Sequence, residues 1–180
     1  MVSVADAYEK ARTTPSDFWE HVSFVADLVV EHDAKTVIEL GTRTGVSTAG
    51  WLYGLARTGG HLWSVDLDPE PDLGISEGWT FLQGDDLDPK VFGRLPVADI
   101  VFIDTSHDYN QTLAELNVYR WKVKPGGLIV LHDTELARPL GTAVLPRYPV
   151  KTAIEVFCHE EGFAWSNRPM NFGLGVIEIV

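Results

Sequence analysis

Apolar residues along the chain change their spacing several times, and each change marks an element. Over residues 3–14 and 16–32 they recur at helical spacing, with Phe18, Val22, Val25, Ala26 and Val29 on one face of the second segment. Ser3 with Asp6 and Asp17 with Glu20 stand at capping-box spacing, and Pro15 separates the two expected helices. The apolar face predicts packing against the sheet that follows or against a second subunit. The β-branched pair Val37-Ile38 opens a first strand, and a helix over 45–58 is stopped by Gly59-Gly60. Strands follow at Leu62 to Asp66 and at Trp79 to Gln83. Pro69, Pro71 and two glycines between them leave room for only a vestigial crossover.

A short helix is expected over 87–93. Asp99 to Asp104 then carries the apolar run Ile100-Val101-Phe102-Ile103, the pattern of a parallel strand buried on both faces. Asp108 with Gln111 caps a helix whose apolar positions are Tyr109, Leu113, Leu116 and Tyr119. Lys124-Pro125-Gly126-Gly127 turns the chain into a strand over Leu128 to Leu131, followed by His132-Asp133. A loop from Thr134 to Pro149 precedes a helix that Gly162 stops, and Phe163 to Ser166 and Leu174 to Val180 read as a closing antiparallel pair. The result is an α/β open sheet of about seven strands, mostly parallel with an antiparallel last strand, helices on both faces and extra N-terminal helices. Ligands of such sheets lie at the carboxyl ends of the strands. Residues 1–180 read as one domain, with 1–33 an N-terminal helical segment and 134–149 a candidate lid.

Composition narrows the partners. The chain holds 14 Lys and Arg against 26 Asp and Glu, a formal net charge of −12. Phosphate backbones need clustered basic residues, so nucleic acid and anionic membrane surfaces are not expected as partners. A small neutral or cationic molecule suits this field better. No apolar run approaches a membrane span, and the first residues lack the pattern of a secretory signal. The single cysteine, Cys158, forms no internal disulfide, which fits a reducing, cytoplasmic setting.

The chemistry is concentrated in Thr36 to Gly45, Thr-Val-Ile-Glu-Leu-Gly-Thr-Arg-Thr-Gly. Strand, glycine turn and helix bring backbone N–H groups up to a nucleotide-like ligand. The dinucleotide fingerprint Gly-x-Gly-x-x-Gly is not met, because Arg43 and Val46 stand at its second and third glycines. That disfavours a nicotinamide oxidoreductase. Asp66, ending the next strand, is placed for ribose hydroxyls. Asp85 reads two ways, as an acceptor for an adenine amino group or as a helix cap, a role Asp86 fills equally well.

Taken together, Glu39-x-Gly41-x-x-x-Gly45, Asp66, Gly84-Asp85 and Pro125-Gly126-Gly127 resemble the class I S-adenosylmethionine-dependent methyltransferases, from residue 36 to the end. Phe102-Ile103-Asp104-x-x-His107-x-Tyr109 with Gly127 to Asp133 is similar to the small bacterial O-methyltransferases. These include relatives of the cephalosporin-biosynthesis, macrolide-sugar and methylmannose enzymes. The resemblance implies a Rossmann-like sheet and S-adenosyl-L-methionine as cofactor. Gly41, Thr42 and Gly45 would line its methionine part, Asp66 its ribose and Asp85 its adenine, with Glu39, Ser47 and Asp104 in the same binding set. Many relatives bind Mg²⁺ through an acid ending strand four and an acidic pair ending strand five. Asp104 and Asp133 match, while His132 stands where an acid is usual. A nitrogen ligand moves preference from Mg²⁺ toward Mn²⁺ or Zn²⁺.

Methyl transfer to an alcohol needs the acceptor positioned and its proton removed. Asp104, His107, His132 and Asp133 all fall at carboxyl ends of central strands. The expected arrangement is Asp104, His132 and Asp133 on a divalent cation with His107 as general base. The plainer alternatives are structural hydrogen bonds for the three and a ligand-orienting role for His107. The leading expectation is therefore a metal-assisted O-methyltransferase for a hydroxyl of a sugar or natural product, as a dimer or higher oligomer. Metal-independent transfer with His107 alone, and a non-catalytic cofactor-binding protein, are the alternatives. Arg138, Arg147 and Tyr148 in the loop are candidates for holding the acceptor.

Overall fold

The computed structural model describes residues 2–139 and 146–180. Helix α1 (Val4–Thr13) and α2 (Val22–Glu31) precede β1 (Thr36–Leu40), α3 (Val46–Thr58), β2 (His61–Asp66) and β3 (Trp79–Gln83). Then come α4 (Pro89–Phe92), β4 (Ala98–Ile103), α5 (Tyr109–Tyr119), β5 (Val123–His132), α6 (Pro149–Glu161), β6 (Trp165–Arg168) and β7 (Leu174–Glu178). The seven strands lie in the order β3-β2-β1-β4-β5-β7-β6. All neighbours from β3 to β5 are parallel, and β7 runs antiparallel to both β5 and β6. No helix bridges β2 and β3, as the prolines there imply.

The alternation of side chains across each strand builds two apolar layers. Val37, Ile100, Phe102, Leu128 and Val130 pack with Val22, Val25, Trp51 and Leu55 under α1, α2 and α3. Ile38, Leu40, Val101, Ile103, Ile129 and Leu131 pack with Leu116, Tyr119, Ile154 and Phe157 under α5 and α6. The apolar face of α2 is spent inside the chain: Val22, Val25, Ala26 and Val29 are all buried, as is Phe18 ahead of the helix. It packs on α3, in front of the sheet, and so is not a free surface for a second subunit.

Three local expectations need correction. Residues 16–32 are not one helix: a single 3-10 turn at Trp19–His21 precedes α2. Asp17 does not cap it, because its carboxylate pairs with Arg43 at 2.6 Å. Strand β5 begins at Val123 rather than Leu128, and Gly126-Gly127 bulge within it, shifting its register against β4 between Ala98 and Ile100. At α4 the cap is Asp88, whose carboxylate accepts from the Lys90 N–H, and not Asp85 or Asp86.

The direction of winding reverses between β1 and β4, so the crevice for a ligand opens over their carboxyl ends. There the backbones come together. The N–H of Asp104 donates to the carbonyl of Leu40, and a Cβ on Gly41 would lie 2.0 Å from the Asp104 carbonyl oxygen. With φ at +87° as well, position 41 accepts only glycine.

Candidate active site

A cavity of about 460 Å³ opens over the strand ends, lined by Gly41, Arg43, Asp66, Gly84, Asp85, Asp86, Asp104, Thr105 and Gln111 among others. Asp66 builds its floor. One carboxylate oxygen accepts from the N–H groups of Thr42 (2.6 Å) and Arg43 (2.8 Å), the other from Asp68 (2.9 Å). Asp66 thus holds the glycine turn in place while lining the cavity. Asp85 also faces the cavity, and one of its oxygens accepts from the Leu87 N–H at 2.9 Å, ahead of the helix that Asp88 caps.

Of the expected binding set, Gly41, Asp66, Asp85 and Asp104 line this cavity, Thr42 and Ser47 line a smaller adjoining one, Gly45 borders a separate cavity against α1, and Glu39 lines none of the three. Glu39 shares a sheet face with α3 and is wholly buried, off the cavity wall. Its carboxylate accepts from Ser47 (2.7 Å), Thr48 (2.9 Å) and Ser64 (2.6 Å), and the Trp79 indole N–H donates to Ser64. Burial pushes Glu39 up to about 7 against the pull of those three hydroxyls. It ties β1, β2 and the first turn of α3 together beneath the glycine loop. Trp79 is part of that network at the far end of β3 and does not flank the cavity.

The ionisable cluster lies beside Asp104. His107 Nε2 is 2.7 Å from Asp133 Oδ2 and 3.3 Å from Asp104 Oδ1. His132 Nδ1 is 3.3 Å from the same Asp133 oxygen and 3.5 Å from Asp104 Oδ2, while its Nε2–H donates to the Asn171 carbonyl at 3.1 Å. His107 and Asp133 both have left-handed φ, +52° and +63°, which turns their side chains back toward one another. Asp104, His107 and Asp133 each offer one ligand atom within 4.8 Å of the others. His107 lies closer to the two acids than His132 does, so it stands beside Asp104 and Asp133 as a candidate ligand where the sequence reading placed His132. His132, 2% exposed, braces the cluster from behind, edge-on to Phe18 and His21.

The electrostatics follow. The hydrogen bond to Asp104, then that to Asp133, raises His107 to about 9 despite its burial. Burial opposes protonation of His132, but the same two carboxylates outweigh it and lift His132 to about 10. Asp104 and Asp133, although desolvated, are held below the ordinary carboxylate range by the two imidazoles. Two acids therefore draw positive charge into one small space, and two carboxylates with an imidazole form a donor set that suits a divalent cation.

Several participants escaped the sequence reading. Glu115 is fully buried behind the cavity and accepts from Thr105 and Gln111, and burial together with Asp86 pushes its carboxyl up. Asp86 is raised as well, by burial and then by Asp85. In the sequence Glu115 stands next to the apolar position Leu116 with no motif to mark it. Arg43, noticed only for displacing a glycine, lines the cavity and pairs with Asp17. Of the loop residues, Arg138 is committed to Asp108 at 2.9 Å, and Arg147 lies over the Tyr148 ring. Residues 140–145 of the candidate lid lie outside the described residues.

Residues 38–134 match the family described as "Methyltransferase domain". No curated protein matches the chain. Among solved structures, a Staphylococcus aureus protein described as a caffeoyl-CoA O-methyltransferase is similar with a TM-score of 0.73 at 15% identity, over 99% of this chain and 92% of that one. An O-methyltransferase from Bacillus cereus, solved with S-adenosylhomocysteine, has a TM-score of 0.67 at 17% identity, covering 98% of this chain and 89% of that one. The methyltransferase MycE of the mycinamycin biosynthetic pathway, solved with Mg and S-adenosylhomocysteine, has a TM-score of 0.69 at 17% identity. The match spans 99% of this chain and 54% of MycE. These likenesses concern the fold. With a matching family over more than half its length and the sheet order of that fold, the chain belongs to the methyltransferase domain family, of the class I, S-adenosylmethionine-dependent type.

Proposed function

We propose that this enzyme methylates a hydroxyl group of a small molecule, a sugar or other natural product, with a divalent cation held by Asp104, His107 and Asp133. The observation that carries the reading is the convergence of those three donors, within 4.8 Å of one another, beside the 460 Å³ cavity that Asp104 also lines. S-adenosyl-L-methionine supplies an electrophilic methyl group, and a cation such as Mg²⁺ or Mn²⁺ lowers the pKa of an acceptor hydroxyl. The chain's part is placement. Asp66 accepts from the ribose hydroxyls, Asp85 from the adenine amino group, and Gly41, Thr42 and Gly45 let the backbone approach the methionine part. His132 braces the cluster, and Phe18 covers it from the N-terminal side. Held between two carboxylates, His107 keeps its proton at neutral pH and is a poor base until something displaces that proton.

A second reading has its own support. The 2.7 Å contact of His107 with Asp133 is that of a His–Asp pair, and without a metal His107 serves as base through its deprotonated fraction, which grows as pH rises toward about 9. Calorimetric titration with S-adenosylhomocysteine, followed by turnover of hydroxyl acceptors with Mg²⁺, Mn²⁺ and chelator, separates the cases. Binding with turnover lost in chelator supports the metal-assisted reading. Turnover indifferent to chelator supports the second, binding without turnover of any acceptor leaves a cofactor-binding protein, and no binding overturns all three.

A further inference from the structure

The ion pair between Arg43 and Asp17, 2.6 Å from guanidinium to carboxylate, ties the glycine loop to the N-terminal segment and has no part in the chemistry above. Both residues line a second cavity of about 120 Å³, which shares Gly41, Arg43, Asp104 and Thr105 with the larger one and so continues it. Thr42 adds a hydroxyl to this wall that is buried and has no hydrogen-bond partner. The hydroxyl of Ser47 is already spent on Glu39, and the charge of Asp104 is met by His107 and His132. Beyond these, the small cavity presents the Arg43–Asp17 pair, a cation beside an anion, and the hydroxyls of Thr42 and Thr44.

That set complements an α-amino acid head, a carboxylate next to an ammonium. The side chains of Arg43 and Asp17 are 66% and 35% exposed, so their mutual pairing is worth little and exchanges readily for a ligand's charges. A guanidinium fork also matches a carboxylate in two parallel hydrogen bonds. Resting on the reading of the larger cavity as the nucleoside site, we propose that Arg43 binds the carboxylate and Asp17 the ammonium of the cofactor's methionine part, with Thr42 donating to the carboxylate. The cofactor then bridges two segments far apart in sequence. Phe18, next to Asp17, packs edge-on against Phe102 and His132, so the segment that grips the amino acid also walls the Asp104–His107–Asp133 cluster.

The test is calorimetric titration of S-adenosylhomocysteine and of 5′-methylthioadenosine, which shares the nucleoside and sulfur but lacks the amino acid. The proteins are the wild type, Arg43→Gly and Asp17→Asn. Glycine is chosen because Arg43 sits at φ +44°, which glycine adopts without strain. Each variant is expected to weaken S-adenosylhomocysteine roughly tenfold or more and to leave 5′-methylthioadenosine within about twofold. Equal weakening of both ligands, or unchanged S-adenosylhomocysteine affinity, overturns the inference. A wild type that binds neither ligand removes the nucleoside-site reading and the inference with it, which tells the two failures apart.

Discussion

At the scale of single residues, Glu39 shows how a recognisable motif position does its work from inside. Its type and spacing mark the glycine turn, yet its carboxylate serves three hydroxyls and reaches no cavity. Burial raises it from 4.5 to about 7, so the fold disfavours the ionised form. The folded state then binds the proton more tightly than the unfolded chain. Stability is largest below pH 4.5, falls as pH rises from there to about 7, and levels off above. In Glu39→Gln that contribution to the slope should vanish, which urea unfolding on either side of the window measures. An unchanged slope in the variant would mean that other groups carry it. His107 and Asp133 make a related point, since their left-handed backbone, and not their type alone, brings imidazole and carboxylate together.

Among the elements, the contact between α2 and α3 decides how closely the N-terminal segment approaches the site. A Cβ on Gly54 would lie 2.7 Å from the Cβ of Val29 and 2.8 Å from the Ala26 carbonyl oxygen, so this glycine lets the two helices touch. Replacing it by alanine offers about 1 kcal/mol of helix propensity. Overpacking against a backbone oxygen costs about 1–3 kcal/mol, and the cost wins. Gly54→Ala should therefore lower the melting temperature, and a higher one would show that α2 moves away freely. The same packing explains why residues 16–21 leave the helical pattern. Asp17 is drawn to Arg43 and Phe18 to Phe102 and His132, interactions that a helix starting at residue 16 would forgo.

For the whole molecule, the cluster proposed to hold a cation exists only because β4, the loop after it and β5 end side by side. His107 and His132 hold protons there at neutral pH, so an entering divalent cation must displace positive charge. Mg²⁺ or Mn²⁺ binding should release protons near pH 7 and weaken as pH falls, read by calorimetry in buffers of different ionisation enthalpy. Binding without proton release would place the cation away from these histidines. Much of this architecture was legible in the residues. Period changes near Val37, Ile100 and Leu128 announce strands, Gly59 and Gly162 announce helix ends, and Gly41 with Asp66 locates the crevice, because local sterics and burial patterns act on neighbours in sequence. The pairing of Arg43 with Asp17 and of Asp86 with Glu115, and the closer approach of His107 than of His132 to the two acids, were not legible. Those contacts join side chains from separate elements, and which of several charged residues meet depends on helix packing and loop direction that spacing along one chain does not encode. Period and turn chemistry set the elements and the place of the crevice, while the partners of each charge were settled when the elements came together.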